Sequence, residues 1–150
     1  MAESSEVRKY EVAAASTDTP GRVLCRARNH HFVVDGPVHN GFPGEAVTPL
    51  EMYLAGVASC GVELIQAFAR DDGLPLRRLR VQVAGAVDRS RPVRPDVTVM
   101  NWFTADFELF GVSDQQAAAL IERFKKTCPI FGSVAVATPD VKVTVRSQPG

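Results

Sequence analysis

The alternation of apolar and polar positions changes period several times along the chain, and each change marks an element. Val7 to Ala15 (VRKYEVAAA) partly alternates and predicts a first strand, while residues 1–6 are polar and expected to fray. Ser16 to Gly21 reads as a turn, because proline fixes φ and glycine supplies a positive φ. Arg22 to Asn29 (RVLCRARN) and His31 to Asp35 (HFVVD) predict two more strands, and the three together an antiparallel meander. Gly36 to Val47 is dense in glycine and proline and reads as loop. Thr48 to Arg70 (TPLEMYLAGVASCGVELIQAFAR) then forms the longest apolar segment. Thr48 suits an N-cap, Pro49 the first helical position, and Glu51 the reciprocal position of a capping box. At 1.5 Å per residue this helix is about 35 Å long. Apolar residues cover most of its circumference, which predicts burial on several sides. Asp71, Asp72 and Gly73 end it with a C′ glycine, and Pro75 prevents its resumption.

Leu79 to Asp88 alternates, with Leu79, Val81, Val83, Gly85 and Val87 on one side, and is the clearest strand. Arg89 to Pro95 (RSRPVRP) is a basic, proline-broken turn. Val97 to Phe110 contains a long strand with Phe103, Ala105, Phe107 and Leu109 on one face, and Trp102 and Phe103 are expected in a core or an interface. Ser113 to Gln116 is a second capping box, and Ala117, Leu120, Ile121 and Phe124 follow at helical spacing. Lys125 and Lys126 suit that helix's C-terminal dipole. Cys128-Pro129 then opens a short helix through IFGSVA, and Val141 to Arg146 closes the chain as a strand. Strands, long helix, strands, helices and a last strand, with no repeat, predict one α+β domain over residues 1–150.

Charge narrows the function classes. Lysine plus arginine and aspartate plus glutamate number 17 each, for a formal net charge of zero. A nucleic-acid or membrane-surface partner usually requires an evident basic patch, so neither is expected. The first twelve residues lack a basic segment followed by an apolar one, and no signal peptide is expected. Glu63, Gln66 and Arg70 sit in or beside the second half of the long helix, and no loop shows flanking basic bias, which argues against a transmembrane span. Three cysteines in this setting point to a reducing cytoplasm. His30, His31 and His39 with these cysteines show no CxxC or HxxxH spacing, so no metal is expected.

Two cysteines stand in settings that matter chemically. Tyr53, Gly56, Val57, Leu64 and Ala67 share the helical face of Cys60, giving an apolar environment with room at Gly56 one turn back. Cys128 precedes a proline-initiated helix and can be its N-cap, where free N–H groups and the helix dipole favour the thiolate. The competing reading is that both are ordinary core thiols, since free cysteine is among the most buried residue types. Cys25 reads as a thiol in a strand core.

The run TPLEMYLAGVASC with the downstream TCPIFGSVA resembles the two cysteine motifs of the OsmC/Ohr family, the osmotically induced and organic hydroperoxide resistance proteins. RNHHFVVDGP and the glycine-rich loop after it resemble the lead-in of the broader OsmC-like branch. The resemblance covers about Arg22 to Val145. It implies an OsmC-like fold, with antiparallel sheets around a long central helix in an intertwined homodimer. It also implies a thiol peroxidase that uses no metal, haem or bound cofactor. By that analogy Cys60 attacks the O–O bond and becomes a sulfenic acid, and Cys128 condenses with it to a disulfide that an external dithiol or lipoyl-type reductant reopens. An apolar pocket then favours organic hydroperoxides over hydrogen peroxide. The family's activating cation is an arginine held by a glutamate at the start of the cysteine helix. Arg22 is the match for the arginine, with Arg26 and Arg28 as alternatives on the same strand. The family glutamate stands ten residues before the cysteine, a position occupied here by Leu50. Glu51 is the nearest carboxylate and is equally explained as the capping partner. A small-molecule binder or a thiol redox sensor on the same scaffold is the rival reading.

Overall fold

The structure is a computed structural model that describes residues 7–150, so the expectation for residues 1–6 lies outside the described residues. Its elements are β1 (Ala13–Ser16), β2 (Arg22–Ala27), β3 (His30–Asp35), α1 (Pro49–Asp71), β4 (Arg78–Ala86), β5 (Trp102–Phe110), α2 (Asp114–Thr127), α3 (Pro129–Ala137) and β6 (Asp140–Gln148). Two compact units share them, Met1–Met52 and Tyr53–Gly150.

In the first unit β1, β2 and β3 form the expected antiparallel meander, with Cys25 of β2 opposite Ala14 on one side and Phe32 on the other. Cys25 is buried. The first strand is shorter than the sequence suggests. β1 begins only at Ala13, opposite Arg26, and β2 ends one residue later at Ala27. Beyond it Arg28 turns with a φ of 54°, so Val7 to Val12 have no strand to pair with there, and Arg28 lies past the strand that carries Arg22 and Arg26 rather than on it. The loop after β3 is fastened by Phe42, whose ring fills the space beside Gly21 and Gly36. A Cβ at either glycine would fall 2.3 Å from that ring, and Gly21 also has a φ of +80°.

Helix α1 starts where its cap predicts. The Thr48 N–H donates to the Glu51 carboxylate at 2.8 Å, and the Thr48 hydroxyl donates to the same oxygen at 2.9 Å. It ends in a Schellman motif, since Leu74 N–H reaches Ala69 C=O, Gly73 N–H reaches Arg70 C=O, and Gly73 has a φ of +64°. Burial on several sides does not follow. In the chain the buried positions are Val57, Gly61, Ile65, Phe68 and Ala69, a single stripe, while Tyr53, Ala55, Ser59 and Glu63 are exposed. By length and composition alone α1 could cross a membrane. Its buried stripe belongs to the core of the second unit.

That core rests on the sheet β4-β5-β6. Phe103, Ala105, Phe107 and Leu109 all face inward, as their parity predicts. β4 pairs antiparallel with β5, but β6 runs parallel to it, Phe103 opposite Val141 and Phe107 opposite Val145. A parallel pair needs a long crossover, and α2 with α3 supplies it. Strand β5 begins at Trp102 rather than near Val97. Pro92 and Pro95 interrupt the chain before it, and Asn101 ties the loop by accepting from Asp88 N–H and donating to Arg91 C=O. Trp102 stays partly exposed, whereas Phe103 is fully buried. The Ser113–Gln116 capping box forms at both of its bonds, and Ala117, Leu120, Ile121 and Phe124 are the buried face of α2. Rings join the layers: Phe107 meets Phe124 edge-on at 5.2 Å, Phe124 meets Phe131 at 5.3 Å, and Phe131 meets Phe103 at 6.2 Å.

Candidate active site

The second unit brings Cys60 and Cys128 together. Pro129 has no N–H and cannot continue α2, and it pushes the residue before it out of helical geometry, so Cys128 is extended at φ −75° and ψ 112°. Cys128 thereby ends one helix and starts the next. Its N–H donates to Phe124 C=O at 2.9 Å, and its Sγ accepts the N–H of Phe131 at 3.3 Å as the N-cap of α3. Cys60 reaches it from the middle of α1. Gly56, one turn earlier, leaves α3 close at that point, since a Cβ there would touch Ile130 at 3.9 Å. The two sulfurs lie 2.8 Å apart, both as free thiols, across 68 residues of sequence. A disulfide bond is about 2.05 Å, so the two sulfurs stand within reach of one should an oxidant remove two electrons and two protons from the pair.

Their environments differ. Cys128 is 2% exposed, and Cys60 is only partly buried. Burial pushes the Cys60 thiol up to about 12, helped by its bond to Cys128, by the charge Cys128 can carry and by Glu63. The charges that act on Cys60 from within this unit thus oppose its ionisation.

Arg22 sits in the first unit, bound to two carboxylates. Its Nε donates to Asp35 Oδ1 at 2.8 Å, and its Nη2 donates to Asp35 Oδ2 at 2.9 Å and to Glu45 Oε2 at 2.7 Å. Asp35 is fully buried and also accepts the N–H groups of Glu45 and Ala46 at 2.9 and 3.0 Å. The guanidinium, more than these two amides, holds the Asp35 carboxyl well below the usual carboxylate range, and the same bonds raise Arg22. The carboxylates on Arg22 are therefore Asp35 and Glu45, whereas Glu51 is bonded to Thr48, whose backbone N–H is the main reason its pKa is lowered. Sequence reasoning missed both Asp35 and Glu45. The signal for Asp35 was an aspartate ending an apolar strand, a place where a charge needs a partner. Nothing local marked Glu45. Arg26 and Arg28 are exposed and line an open surface depression with Lys9 and Tyr10. Among the described residues no group of three His, Cys, Asp or Glu side chains converges as a metal set.

A helix with a mid-span thiol, set against a second thiol that caps a proline-initiated helix, is a two-cysteine site on an α+β scaffold. The family described as OsmC-like protein matches residues 42–144, a span that includes both cysteines. The chain belongs to the OsmC-like family. Solved structures agree on the fold. An OsmC-like protein from Mycoplasma pneumoniae superposes with a TM-score of 0.78 at 17% identity, covering 95% of this chain and 97% of that one. An organic hydroperoxide resistance protein from Elizabethkingia anophelis, with thiocyanate bound, gives 0.78 at 16% identity over 97% of this chain and 100% of that one. An organic hydroperoxide resistance protein OsmC from Legionella pneumophila gives 0.74 at 17% identity, over 93% and 98%. No curated protein matches. At these identities the likeness extends to the fold.

Proposed function

We propose that the protein is a thiol peroxidase that reduces organic hydroperoxides through Cys60 and Cys128. The observation that carries this reading is the 2.8 Å approach of two free sulfurs from separate elements, one partly exposed and one buried at a helix N-cap. Ordinary core thiols have no reason to meet. In the proposed cycle Cys60 sulfur attacks the terminal oxygen of R–O–O–H, the O–O bond breaks, and Cys60 becomes a sulfenic acid as the alkoxide leaves. Cys128 then displaces hydroxide from that sulfur, and the resulting disulfide is reopened by a dithiol or lipoyl-type reductant. The reading needs no metal or bound cofactor. It keeps Arg22 as the activating cation and places the protein in the cytoplasm as a homodimer.

Replacing Cys60 tests it directly. Cys60→Ser is expected to abolish dithiol-dependent consumption of an organic hydroperoxide, and undiminished turnover overturns the reading. The wild-type protein should lose two hydrogens in mass on stoichiometric peroxide, through a Cys60–Cys128 disulfide.

A redox sensor or binder on this scaffold is the second reading. What favours it is the first turn of α1, where Leu50 occupies the family's glutamate position and Glu51 is committed to Thr48. Disulfide formation without steady-state peroxide consumption identifies the sensor, and no mass change identifies the binder.

A further inference from the structure

Cys60 is the partly buried sulfur of the pair, and Cys128 closes one side of it at 2.8 Å. Its place on α1 fixes the other sides. The buried stripe of the helix runs through Val57, Gly61, Ile65 and Phe68, and Cys60 stands at the margin of that stripe. At about 100° per residue, its neighbours toward the exposed side are Gly56, one turn before it, and Glu63, one turn after it. Gly56 offers no side chain there, and a Cβ at that position would meet Ile130 alone, at 3.9 Å. Glu63 is exposed, and it pairs with no cation among the described residues. Helical side chains lean back toward the N-terminus, which lays the Glu63 carboxylate over the turn that carries Cys60. Residues 56–64 read GVASCGVEL, so no other charge of α1 stands within a turn of the sulfur. Helix α3 carries no charge, Phe103 and Phe107 face the core from β5, and Lys125 of α2 is paired with Glu122. Lys126 is exposed, two residues before the buried Cys128. A reagent that reaches Cys60 from solvent thus passes one unpaired carboxylate.

We infer that Glu63 is a specificity-determining residue: its carboxylate turns anionic hydroperoxides away from Cys60, so that the site takes organic hydroperoxides that carry no negative charge. The inference rests on the peroxidase reading above and deepens it by naming the substrate class. A substrate carboxylate close to its peroxide group has to approach Glu63 when the terminal oxygen meets the sulfur. Two like charges about 6 Å apart in water lower a rate about threefold. An uncharged hydroperoxide meets no such barrier, and the apolar residues around Cys60 suit its alkyl part. Arg22, the activating cation of that reading, and Glu63 act on the sulfur in opposite senses. The charge that selects substrates also disfavours the Cys60 thiolate, so selection comes with a slower attack.

Charge selection separates from thiol acidity when two reagents are compared at one sulfur. In the reduced protein, the rates of Cys60 alkylation by neutral iodoacetamide and by anionic iodoacetate are followed by peptide mass. A change in Cys60 ionisation alters both rates equally and cancels in their ratio. Glu63→Gln, at an exposed position without an ion pair, is expected to lower the iodoacetamide-to-iodoacetate ratio about threefold at low ionic strength. Glu63→Asp should keep a ratio above that of Glu63→Gln. In 1 M salt, where the screening length is about 3 Å, the wild-type ratio should fall toward the Glu63→Gln value. An unchanged ratio in Glu63→Gln overturns the proposal. The second measurement sets a short tertiary hydroperoxide bearing a carboxylate against its methyl ester. The wild-type protein should consume the ester faster, and Glu63→Gln should narrow the gap by about the same threefold. The same preference in both proteins overturns the proposal. If the wild-type protein consumes neither compound, the peroxidase reading fails, while the alkylation ratio still decides whether Glu63 selects by charge at Cys60.

Discussion

At the scale of single residues, Asp35 shows how one buried charge fastens a segment. Four donors converge on its carboxylate, two from Arg22 and two from the backbone of Glu45 and Ala46, so it joins β2, β3 and the loop that leads to α1. Its pKa is depressed in the folded state, chiefly by Arg22. A depressed carboxylate stabilises the fold fully above its unfolded value, about 3.9, and that contribution is lost as pH falls through the folded value. Acid denaturation should therefore steepen below about pH 4, and Asp35→Asn should flatten the dependence of unfolding free energy on pH in that window. Equal slopes for the two proteins would show that this carboxylate is not the group responsible.

At the scale of elements, glycine placement separates packing from propensity. Gly61 of α1 is buried against β5, and an added Cβ would lie 3.0 and 3.1 Å from the ring of Phe107. Overpacking costs about 1–3 kcal/mol, against a helical gain of about 1 kcal/mol for glycine to alanine. Gly132 of α3 has open space where its Cβ would stand. Denaturant melts of Gly61→Ala and Gly132→Ala should thus move in opposite directions, the first down by about 1 kcal/mol net and the second up by as much as about 1 kcal/mol. If Gly61→Ala were the more stable, α1 would not be as tightly seated on Phe107 as the distances state.

At the scale of the whole molecule, the chain leaves apolar side chains in the open. Tyr53 on α1, Trp102 on β5 and Val136 on α3 are 41%, 39% and 88% exposed. Scattered apolar exposure is ordinary, and a homodimer would cover some of these side chains. The proposed homodimer predicts a mass in light scattering of twice 16.2 kDa at micromolar concentration. A species of the single-chain mass would remove the dimer from the proposal and leave the cysteine chemistry to stand alone.

What the sequence determined by itself was whatever depends on neighbours in the chain. The Ser113 cap, the Gly73 stop, the break at Cys128-Pro129 and the inward parity of Phe103 to Leu109 are local rules of hydrogen bonding and side-chain direction, and they appear as read. Strand ends were less legible, because β1 and β5 are bounded by where their partners β2 and β4 stop, at Ala27 and at Ala86. The parallel seating of β6 was not legible either, since a register across 38 residues leaves no periodic trace. The site divides in the same way. Cys128 as a helix cap was local, and the family resemblance named its partner. Only the tertiary structure set the two sulfurs 2.8 Å apart and gave Arg22 to Asp35 and Glu45 in place of Glu51. Those contacts join residues 13 to 68 positions apart, and distance along the chain carries no information about which side chains meet.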